Sequence, residues 1–191
     1  MSQSPSQERN AALDAIIKPL GAAKYSCDVP FSRVREGLWS FLSGEGECEV
    51  EYNPDFQRGH VWTADQQRHF IENVLRGIVG QDGLTIRFNC ASWGGRSTGD
   101  LDGRVQCIDG LQRLTAIQKF MDGDLKPFGL SLDDLKGTSY DATRTTYLMH
   151  IAVYTFQNRA DLLNYYLTIN DGGTMHTPEE LNRVRALLAR A

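Results

Sequence analysis

The sequence contains no apolar run of the length that a membrane span requires, and its first residues have no apolar segment behind a basic start. A transmembrane helix needs about 20 consecutive apolar residues, and a secretory signal needs an apolar stretch after a positively charged start. Both absences predict a cytoplasmic protein with no membrane partner.

Spacings typical of metal sites are also missing. The four cysteines form no CxxC pair, and the four histidines form no HExxH or HxH arrangement. Because zinc sites depend on such spacings, we predict no metal site and interpret the cysteines as buried, reduced thiols. His60 is the one histidine that we would test, because it lies in a motif described below. A GxSxG nucleophile is absent as well, which argues against a hydrolase of that kind.

Excess positive charge is a third absence, since 24 acidic residues face 20 basic ones for a net charge of −4. Residues 50–119 hold equal numbers of basic and acidic side chains. A broadly basic nucleic-acid-binding surface is therefore excluded, and DNA binding has no support from charge. Arginine nevertheless outnumbers lysine 15 to 5. Because the planar guanidinium binds phosphate or carboxylate in a fixed geometry, this bias favours local phosphate sites.

The length of 191 residues, with 41% apolar and 23% charged residues, is typical of one globular domain. We predict a disordered tail over residues 1–10, a helical extension over 11–45 and the main domain over 46–191. In the extension, apolar residues at helical spacing predict helices over 11–20 and 31–42.

Helical and alternating patterns follow one another in the main domain. Thr63 and Gln66 form a capping-box pattern at the start of a helix whose apolar stripe extends to Ile78. A strand over 84–90 alternates apolar and polar residues, so we expect one buried face. The remaining predicted elements are a strand over 48–52, a strand over 105–108, a helix over 111–121, a short helix over 130–136, a strand over 150–156, a helix over 161–167 and a last helix with Thr177 as its cap.

A glycine-rich connection over residues 92–104 joins two of these strands. Its four glycines, together with serine, threonine and aspartate, predict a flexible segment that is either a lid or a solvated linker. The glycines lack the GxxxxGK[ST] spacing of a P-loop, so the connection is not interpreted as a phosphate-binding loop.

The turn between the strand at 105–108 and the next helix is the strongest candidate site. A strand that ends directly at a helix start aims unpaired backbone N–H groups and the positive end of the helix dipole at the space above the turn. Arg113 in the first helical turn opposes that dipole by roughly 0.3–1 kcal/mol, a cost that an anionic ligand would reverse. The alternative is that Asp109 caps the helix and pairs with Arg113 without any ligand. The turn reads Asp109, Gly110, Leu111, Gln112 and Arg113.

Three segments in this order resemble the DUF262 family. They cover residues 54–62 (PDFQRGHVW), 108–115 (IDGLQRLT) and 166–174 (YLTINDGGT), followed by 178–180 (PEE). The family is typified by the N-terminal domain of the GmrSD type IV restriction enzymes and by related antiphage proteins, and its fold is similar to that of ParB and sulfiredoxin. The resemblance implies an α/β (α+β) fold with a small mixed sheet, flanking helices and an N-terminal helical extension.

The resemblance also implies a nucleoside triphosphate site, with ATP, GTP or CTP as ligand and Mg²⁺ as a possible cofactor. Asp109 and Arg113 are the catalytic candidates: Asp109 would hold a metal-bound water or orient Arg113, and Arg113 would contact phosphate oxygens. Gly110 would let phosphate approach the backbone, and Gln112 would add a second phosphate contact. Leu111 stands where the family motif has its first glutamine, so we leave it out of the site.

The other two motifs are expected to supply the remaining walls. Gln57 and Arg58 would face the phosphates, with Arg58 as a second guanidinium. Trp62 could stack on a base, although an aromatic residue just before an apolar helix more often packs in the core. A turn that opens a helix could hold an anion or a ribose. In the third motif this role is assigned to Asn170, Gly172, Gly173 and Thr174.

Three functions follow from these expectations. The first is a nucleotide-binding module, with NTP hydrolysis as an added hypothesis, that acts in phage–host conflict or another DNA transaction in a bacterial cell or phage-infected host. The second is a non-enzymatic interaction or inhibitor protein with a protein partner, which Leu111 favours. The third is a ParB-like DNA-nicking nuclease, which the absence of a histidine-rich metal motif disfavours.

Overall fold

The structure, a computed structural model, describes residues 5–34, 38, 50–144, 146–170 and 178–191. Short 3₁₀ turns cover Phe31–Val34, Gln81–Leu84 and Pro127–Gly129. The strands are β1 (Tyr25–Pro30), β2 (Val50–Glu51), β3 (Thr85–Cys90), β4 (Val105–Asp109) and β5 (Leu148–Tyr154). The helices are α1 (Pro5–Ile17), α2 (Ala64–Leu75), α3 (Leu111–Asp122), α4 (Leu132–Leu135), α5 (Arg159–Asn170) and α6 (Pro178–Leu188).

The five strands form one mixed sheet with the order β1-β5-β3-β4-β2. β1 pairs antiparallel with β5, and β5 pairs parallel with β3. β3 pairs antiparallel with β4, and β4 pairs parallel with β2. The predicted α+β fold with a small mixed sheet is therefore confirmed, while the likeness to ParB and sulfiredoxin stays a prediction.

Helices cover both faces of the sheet, which makes three layers. Successive residues of β4 show the division, because their side chains alternate between faces. Cys107 belongs to the apolar cluster that includes Ile71 of α2 and Phe120 of α3. Ile108 belongs to a second cluster, which includes Leu162 of α5 and Val184 of α6.

Two buried faces also explain why the prediction for β3 was wrong. Thr85 and Asn89, expected to face solvent, are 6% and 1% exposed. The Asn89 amide is satisfied by the main chain of Phe156: Nδ2 donates to the carbonyl oxygen at 3.2 Å, and Oδ1 accepts from the amide at 2.8 Å. An interior strand between two helical layers buries its polar positions as well, provided that they are hydrogen-bonded.

Most predicted elements of the main domain are confirmed, with bounds shifted by at most three residues. The capping box of α2 is present, since Gln66 N donates to Thr63 Oγ1 and Thr63 N donates to Gln66 Oε1. The helix ends at Leu75 and is followed by Gly77 at φ 73°. Ile78, predicted to continue the buried stripe, is 68% exposed because it lies past that end.

The N-terminal region differs more from its prediction. α1 begins at Pro5, so residues 5–10 are helical where we expected a loose tail. Its apolar side chains are exposed, with Ile16 at 78% and Ile17 at 66%. The helix predicted over 31–42 starts as a 3₁₀ turn, and most of its later positions lie outside the described residues, as do positions 48 and 49 of the predicted strand.

The glycine-rich connection 92–104 is held against the segment that precedes α5. Gln157 anchors it twice, because Thr98 N donates to Gln157 Oε1 at 2.8 Å and Leu101 N donates to the Gln157 carbonyl oxygen at 3.1 Å. Arg159 N donates to Asp100 Oδ1 at 2.7 Å. The connection is therefore an anchored loop on the second helical layer and not a solvated linker, while the alternative that it is a lid stays a prediction.

Of the three cysteines in the described residues, two are buried as predicted. Cys90 and Cys107 are buried and Cys27 is half-buried, all without a disulfide. Burial raises the pKa of the Cys107 thiol, so this cysteine is neutral and unreactive. Cys48 lies outside the described residues. No helix in the described part of the chain is long and apolar enough to cross a membrane.

Candidate functional site

A cavity of about 280 Å³ opens where β4 ends and α3 begins. We call it the β4–α3 cavity. It brings together eight of the predicted site residues, and the other three, Gly172, Gly173 and Thr174, lie outside the described residues. The eight are Gln57, Arg58, Trp62, Asp109, Gly110, Gln112, Arg113 and Asn170, and the lining is completed by Arg87, Ile108, Leu111, Tyr166 and Ile169.

Gly110 forms the sharp turn at the floor of the β4–α3 cavity. It is the N-cap of α3 at φ 96° and ψ 5°, without a side-chain cap. A Cβ at this position would lie 2.7 Å from Ile86 Cδ1 and 3.1 Å from Ile86 Cα, so the turn packs directly on β3. Only glycine fits such a turn, because it combines a positive φ with close backbone approach. The expectation that Asp109 caps the helix is therefore wrong.

The pairing of Asp109 with Arg113 is confirmed, but the structure adds a third member. Asp109 Oδ2 accepts a hydrogen bond from Arg113 Nη2 at 2.8 Å and another from Arg87 Nη1 at 2.7 Å. Arg87 and Asp109 are register partners on β3 and β4. One carboxylate oxygen thus holds two guanidinium groups against the cavity.

Sequence reasoning missed Arg87 because it assigned this residue to a solvent face of β3. Its guanidinium is half-buried. Burial disfavours its charge, but Asp109, Tyr165 and Tyr154 outweigh that effect and raise the pKa of Arg87, so the group stays protonated. Arg87 could have been assigned to the site only from the pairing of β3 with β4, and a pattern of neighbouring residues does not reveal which strands pair.

Arg113 also carries an unsatisfied donor. Of the buried side-chain nitrogen and oxygen atoms in the described residues, Arg113 Nε alone has no hydrogen-bond partner. Buried polar atoms are nearly always paired in native proteins, so an orphaned N–H at a cavity wall requires an explanation. Among the lining residues that the structure describes, three arginines, Arg58, Arg87 and Arg113, stand against one carboxylate, that of Asp109.

The two glutamines of the lining are bound to the main chain. Gln57 Nε2 donates to the carbonyl oxygens of Cys107 at 3.0 Å and Ile108 at 2.7 Å, which ties the first motif to β4. These two bonds use both of its amide hydrogens. Gln57 therefore has no N–H left for a phosphate, and its observed role is to position the wall.

Gln112 performs a similar task from α3. Its Oε1 accepts from the amides of Val61 and Trp62, each at 3.1 Å, and its Nε2 donates to the carbonyl oxygen of Gly59 at 2.5 Å. Leu111 beside it is 4% exposed and packs in the first apolar cluster. The departure from the family motif at this position is thus explained by packing.

Comparison with known families identifies a restriction-enzyme domain. The model of the GmrSD restriction endonuclease N-terminal domain matches residues 39–145, more than half of the chain. The chain belongs to this family. The match confirms the resemblance to DUF262, whereas no curated protein and no solved structure matches the chain.

The third wall of the β4–α3 cavity lies beyond the stretch that the GmrSD N-terminal domain model matches. Tyr166 is buried, and its ring contacts that of Phe56 edge-on, with the ring centroids 5.2 Å apart. Burial raises the pKa of Tyr166 to about 12, with opposing effects from Arg58 and Glu180. Asn170 Nδ2 donates to the Tyr166 carbonyl oxygen at 2.7 Å. Residues C-terminal to the family match therefore complete the cavity.

α6 braces the first motif from behind the cavity. Arg183 Nη2 donates to the main-chain oxygen of Gln57 at 2.5 Å, and Glu180 Oε2 lies 3.7 Å from Arg58 Nη1. Sequence reasoning placed Glu180 in the third motif but missed Arg183. This arginine fixes a loop through a backbone contact, which carries no recognisable spacing.

Trp62 and His60 complete the first motif. Trp62 is half-buried, lines the cavity and packs on Phe70 with ring centroids 5.4 Å apart. Trp62 therefore packs against the core, as one of its two interpretations predicted, and it also borders the cavity. His60 Nδ1 lies 3.2 Å from Thr115 Oγ1 and is not among the lining residues.

A resident metal would find few ligands here. The described residues contain no group of three His, Cys, Asp or Glu side chains that could hold an ion. Of the lining residues within the described ranges, Asp109 is the acidic one, and its Oδ2 already binds two guanidiniums. The arrangement suits an anion, and Mg²⁺ would fit only if the anion supplied most of its oxygen ligands.

Proposed function

We propose that the chain binds a nucleotide, and that the β4–α3 cavity holds its phosphates. The observation that carries this proposal is the buried, unpartnered Nε of Arg113, a lining residue of the cavity together with Arg58 and Arg87. A phosphate oxygen is an acceptor of the kind that Nε lacks, and guanidinium groups bind phosphate through short, charge-assisted hydrogen bonds.

The balance of charge in the lining supports an anionic ligand. Among the described residues of the lining, Arg58, Arg87 and Arg113 contribute three positive charges, and Asp109 contributes one negative charge. Arginine keeps its charge at every physiological pH. The amides at the start of α3 and its helix dipole add to the positive field at the same point.

Hydrolysis is the finer part of the proposal. Asp109 would serve it by orienting Arg113 rather than by holding a metal alone, because its Oδ2 is shared between Arg113 and Arg87. Magnesium would enter with the nucleotide, and Asp109 is the described lining residue whose carboxylate could contribute to holding it. When bound, the ion would neutralise charge that develops on the phosphates.

The biological setting follows from the family. Its name connects these domains with a restriction endonuclease, which acts in conflict between phage and host. We therefore propose that nucleotide binding by this chain serves a restriction-type defence system.

Isothermal titration calorimetry with ATP, GTP, CTP and UTP, each with and without Mg²⁺, tests the binding. We expect binding to wild-type protein at millimolar Kd or tighter, and a loss of about tenfold or more in Arg113→Met, since a charge-assisted hydrogen bond contributes about 1.5–3 kcal/mol. Arg96→Met, at an exposed arginine of the anchored loop, is the matched control and should bind as wild type does. No binding of any of the four nucleotides at millimolar concentration would refute the proposal.

A separate assay addresses hydrolysis. Release of inorganic phosphate from each nucleotide would be measured for wild-type protein, Arg113→Met and Arg96→Met. Activity that persists unchanged in Arg113→Met would assign the hydrolysis to a contaminant or to another site.

A further inference from the structure

We propose that Glu180 of α6 regulates the β4–α3 cavity by competing with an anionic ligand for Arg58. Arg58 lines the cavity, and its Nη1 lies 3.7 Å from Glu180 Oε2. The carboxylate balances positive charge that a phosphate would otherwise use, so a ligand has to displace this contact. The inference rests on the proposed function and deepens it, because it concerns control of the same site by the last helix.

The contact between Arg58 and Glu180 differs from the contacts that Asp109 makes. Asp109 Oδ2 accepts hydrogen bonds from Arg87 and Arg113 at 2.7 and 2.8 Å, within the usual range for such bonds. At 3.7 Å, the Arg58–Glu180 pair is an electrostatic contact, longer than a direct hydrogen bond. Such a contact balances the charge of a guanidinium without fixing its orientation. Asp109 therefore positions its arginines, whereas Glu180 neutralises one.

The main chain beside Arg58 is held by other contacts. Gln57 Nε2 donates to two carbonyl oxygens of β4. Arg183 Nη2 donates to the carbonyl oxygen of Gln57. These hydrogen bonds do not involve Glu180, so they persist when its charge is removed. Loss of that charge should leave the backbone in place and make the Arg58 guanidinium more available to a ligand.

The charge of Glu180 also acts on a wall of the cavity at Tyr166. Burial is the main cause that raises the pKa of Tyr166, while Arg58 lowers this pKa and Glu180 raises it. Tyr166 is buried and lines the cavity. A carboxylate whose charge acts on a lining residue also repels an anion in the same space, and charges interact more strongly where water is excluded. Both effects of Glu180 therefore disfavour an anionic ligand.

Competition for Arg58 couples the ligand to α6. Because coupling between two binding events is reciprocal, an occupied cavity weakens the contact between α6 and the first motif. Leu181 and Val184 are buried, so α6 stays attached while the contact of its first turn is exchanged. α6 lies beyond residues 39–145, the stretch that the family model matches. The proposed control thus comes from a part of the chain outside that match.

Calorimetric titration of Glu180→Gln tests the inference. We expect each nucleotide that binds wild type, and inorganic triphosphate, to bind this variant about threefold or more tightly. Glutamine keeps the size of the side chain and suits the third position of a helix as glutamate does. Glu179→Gln is the matched control, since it removes an equal charge at an exposed position in the same first turn. It should bind as wild type does.

A stability measurement separates competition from positioning. Without ligand, Glu180→Gln should unfold at a lower urea concentration than Glu179→Gln, because the contact with Arg58 is lost, and yet it should bind ligand more tightly. A residue that positioned Arg58 would lose both stability and affinity on substitution. Glu180→Ala, checked for folding by circular dichroism, is a second variant that should also bind more tightly than wild type.

Failure of the inference is distinguishable from failure of the proposed function. If wild type binds a nucleotide and Glu180→Gln binds it no more tightly than Glu179→Gln, the inference is overturned and the proposed function stands. Weaker binding by Glu180→Gln would assign a positioning role to Glu180, which also overturns the inference. If no nucleotide binds wild type or Glu180→Gln at millimolar concentration, the proposed function fails and the inference fails with it.

Discussion

Arg87 and Asp109 face each other across two antiparallel strands, with Nη1 2.7 Å from Oδ2. The same carboxylate oxygen binds Arg113 from the first turn of α3. Asp109 thereby keeps two positive groups side by side at the edge of a cavity. This arrangement has consequences for stability that can be measured without knowing the ligand.

Asp109→Asn should make the stability of the protein depend on anions. The variant keeps the shape of the side chain but removes the charge that balances Arg87 and Arg113. We expect the free energy of unfolding to fall by about 1–3 kcal/mol in chloride buffer and to recover partly in phosphate buffer of equal ionic strength. Urea denaturation in both buffers measures this.

The control for that experiment is Asp102→Asn. Asp102 pairs with Arg104 at 2.7 Å on the surface, with both side chains exposed, so its loss should cost less than about 1 kcal/mol. If Asp109→Asn were as stable as wild type and responded no more to phosphate, the charge arrangement would have no energetic role.

Gly110→Ala should destabilise the fold by roughly 2 kcal/mol or more. The added Cβ would need a left-handed backbone conformation and would overlap Ile86 Cδ1. Thermal and urea unfolding measure the effect. Gly95→Ala, where a Cβ meets no atom within 4 Å, should change stability by no more than about 0.5 kcal/mol. Equal effects of the two substitutions would contradict the close packing of the turn on β3.

Gln112→Ala should cost about 1–3 kcal/mol of unfolding free energy. The substitution leaves the amides of Val61 and Trp62 and the carbonyl of Gly59 without their partners. Gln118→Ala, at an exposed position of the same helix, is the matched control and should be close to wild type. Hydrogen exchange should also quicken at Val61 and Trp62, and unchanged protection there would contradict the contact.

Tyr166 should make the protein sensitive to alkaline pH. Its pKa is raised from the usual 10.0 to about 12 by burial, so the folded state holds the proton more tightly than the unfolded state. The resulting stability is complete below pH 10 and is lost as the pH rises through 12, by up to about 3 kcal/mol.

Denaturation of wild type and Tyr166→Phe between pH 8 and pH 12 isolates this contribution. The difference in unfolding free energy between the two proteins should be constant below pH 10 and should shrink above it. Tyr140→Phe, at an exposed tyrosine, should parallel wild type throughout. A constant difference across the whole range would mean that Tyr166 titrates normally.

The elements that sequence reasoning predicted well are those set by neighbouring residues. The capping box of Thr63 and Gln66 is a contact across three positions, so its pattern is visible in the chain. The turn at Asp109 and Gly110 is equally local. The family resemblance predicted that the three motifs lie close together, and parts of all three do line the β4–α3 cavity.

The features that were missed depend on contacts between distant parts of the chain. Arg87 joins the site because β3 pairs with β4 in one particular register, and register is a tertiary property. Arg183 reaches a backbone oxygen 126 positions away. The alternating pattern of β3 predicts that Asn89 faces solvent, but in the structure a second helical layer covers it.

The position of β5 in the sheet has a consequence for synthesis on the ribosome. Among the described strands, β1 pairs with β5 alone, and their residues Asp28 and His150 are 122 positions apart. β1 therefore leaves the ribosome before its partner strand and stays unpaired until β5 has been translated. Folding cannot proceed strand by strand from the N-terminus, and nascent chains stalled before residue 148 should expose β1 to proteases and chaperones.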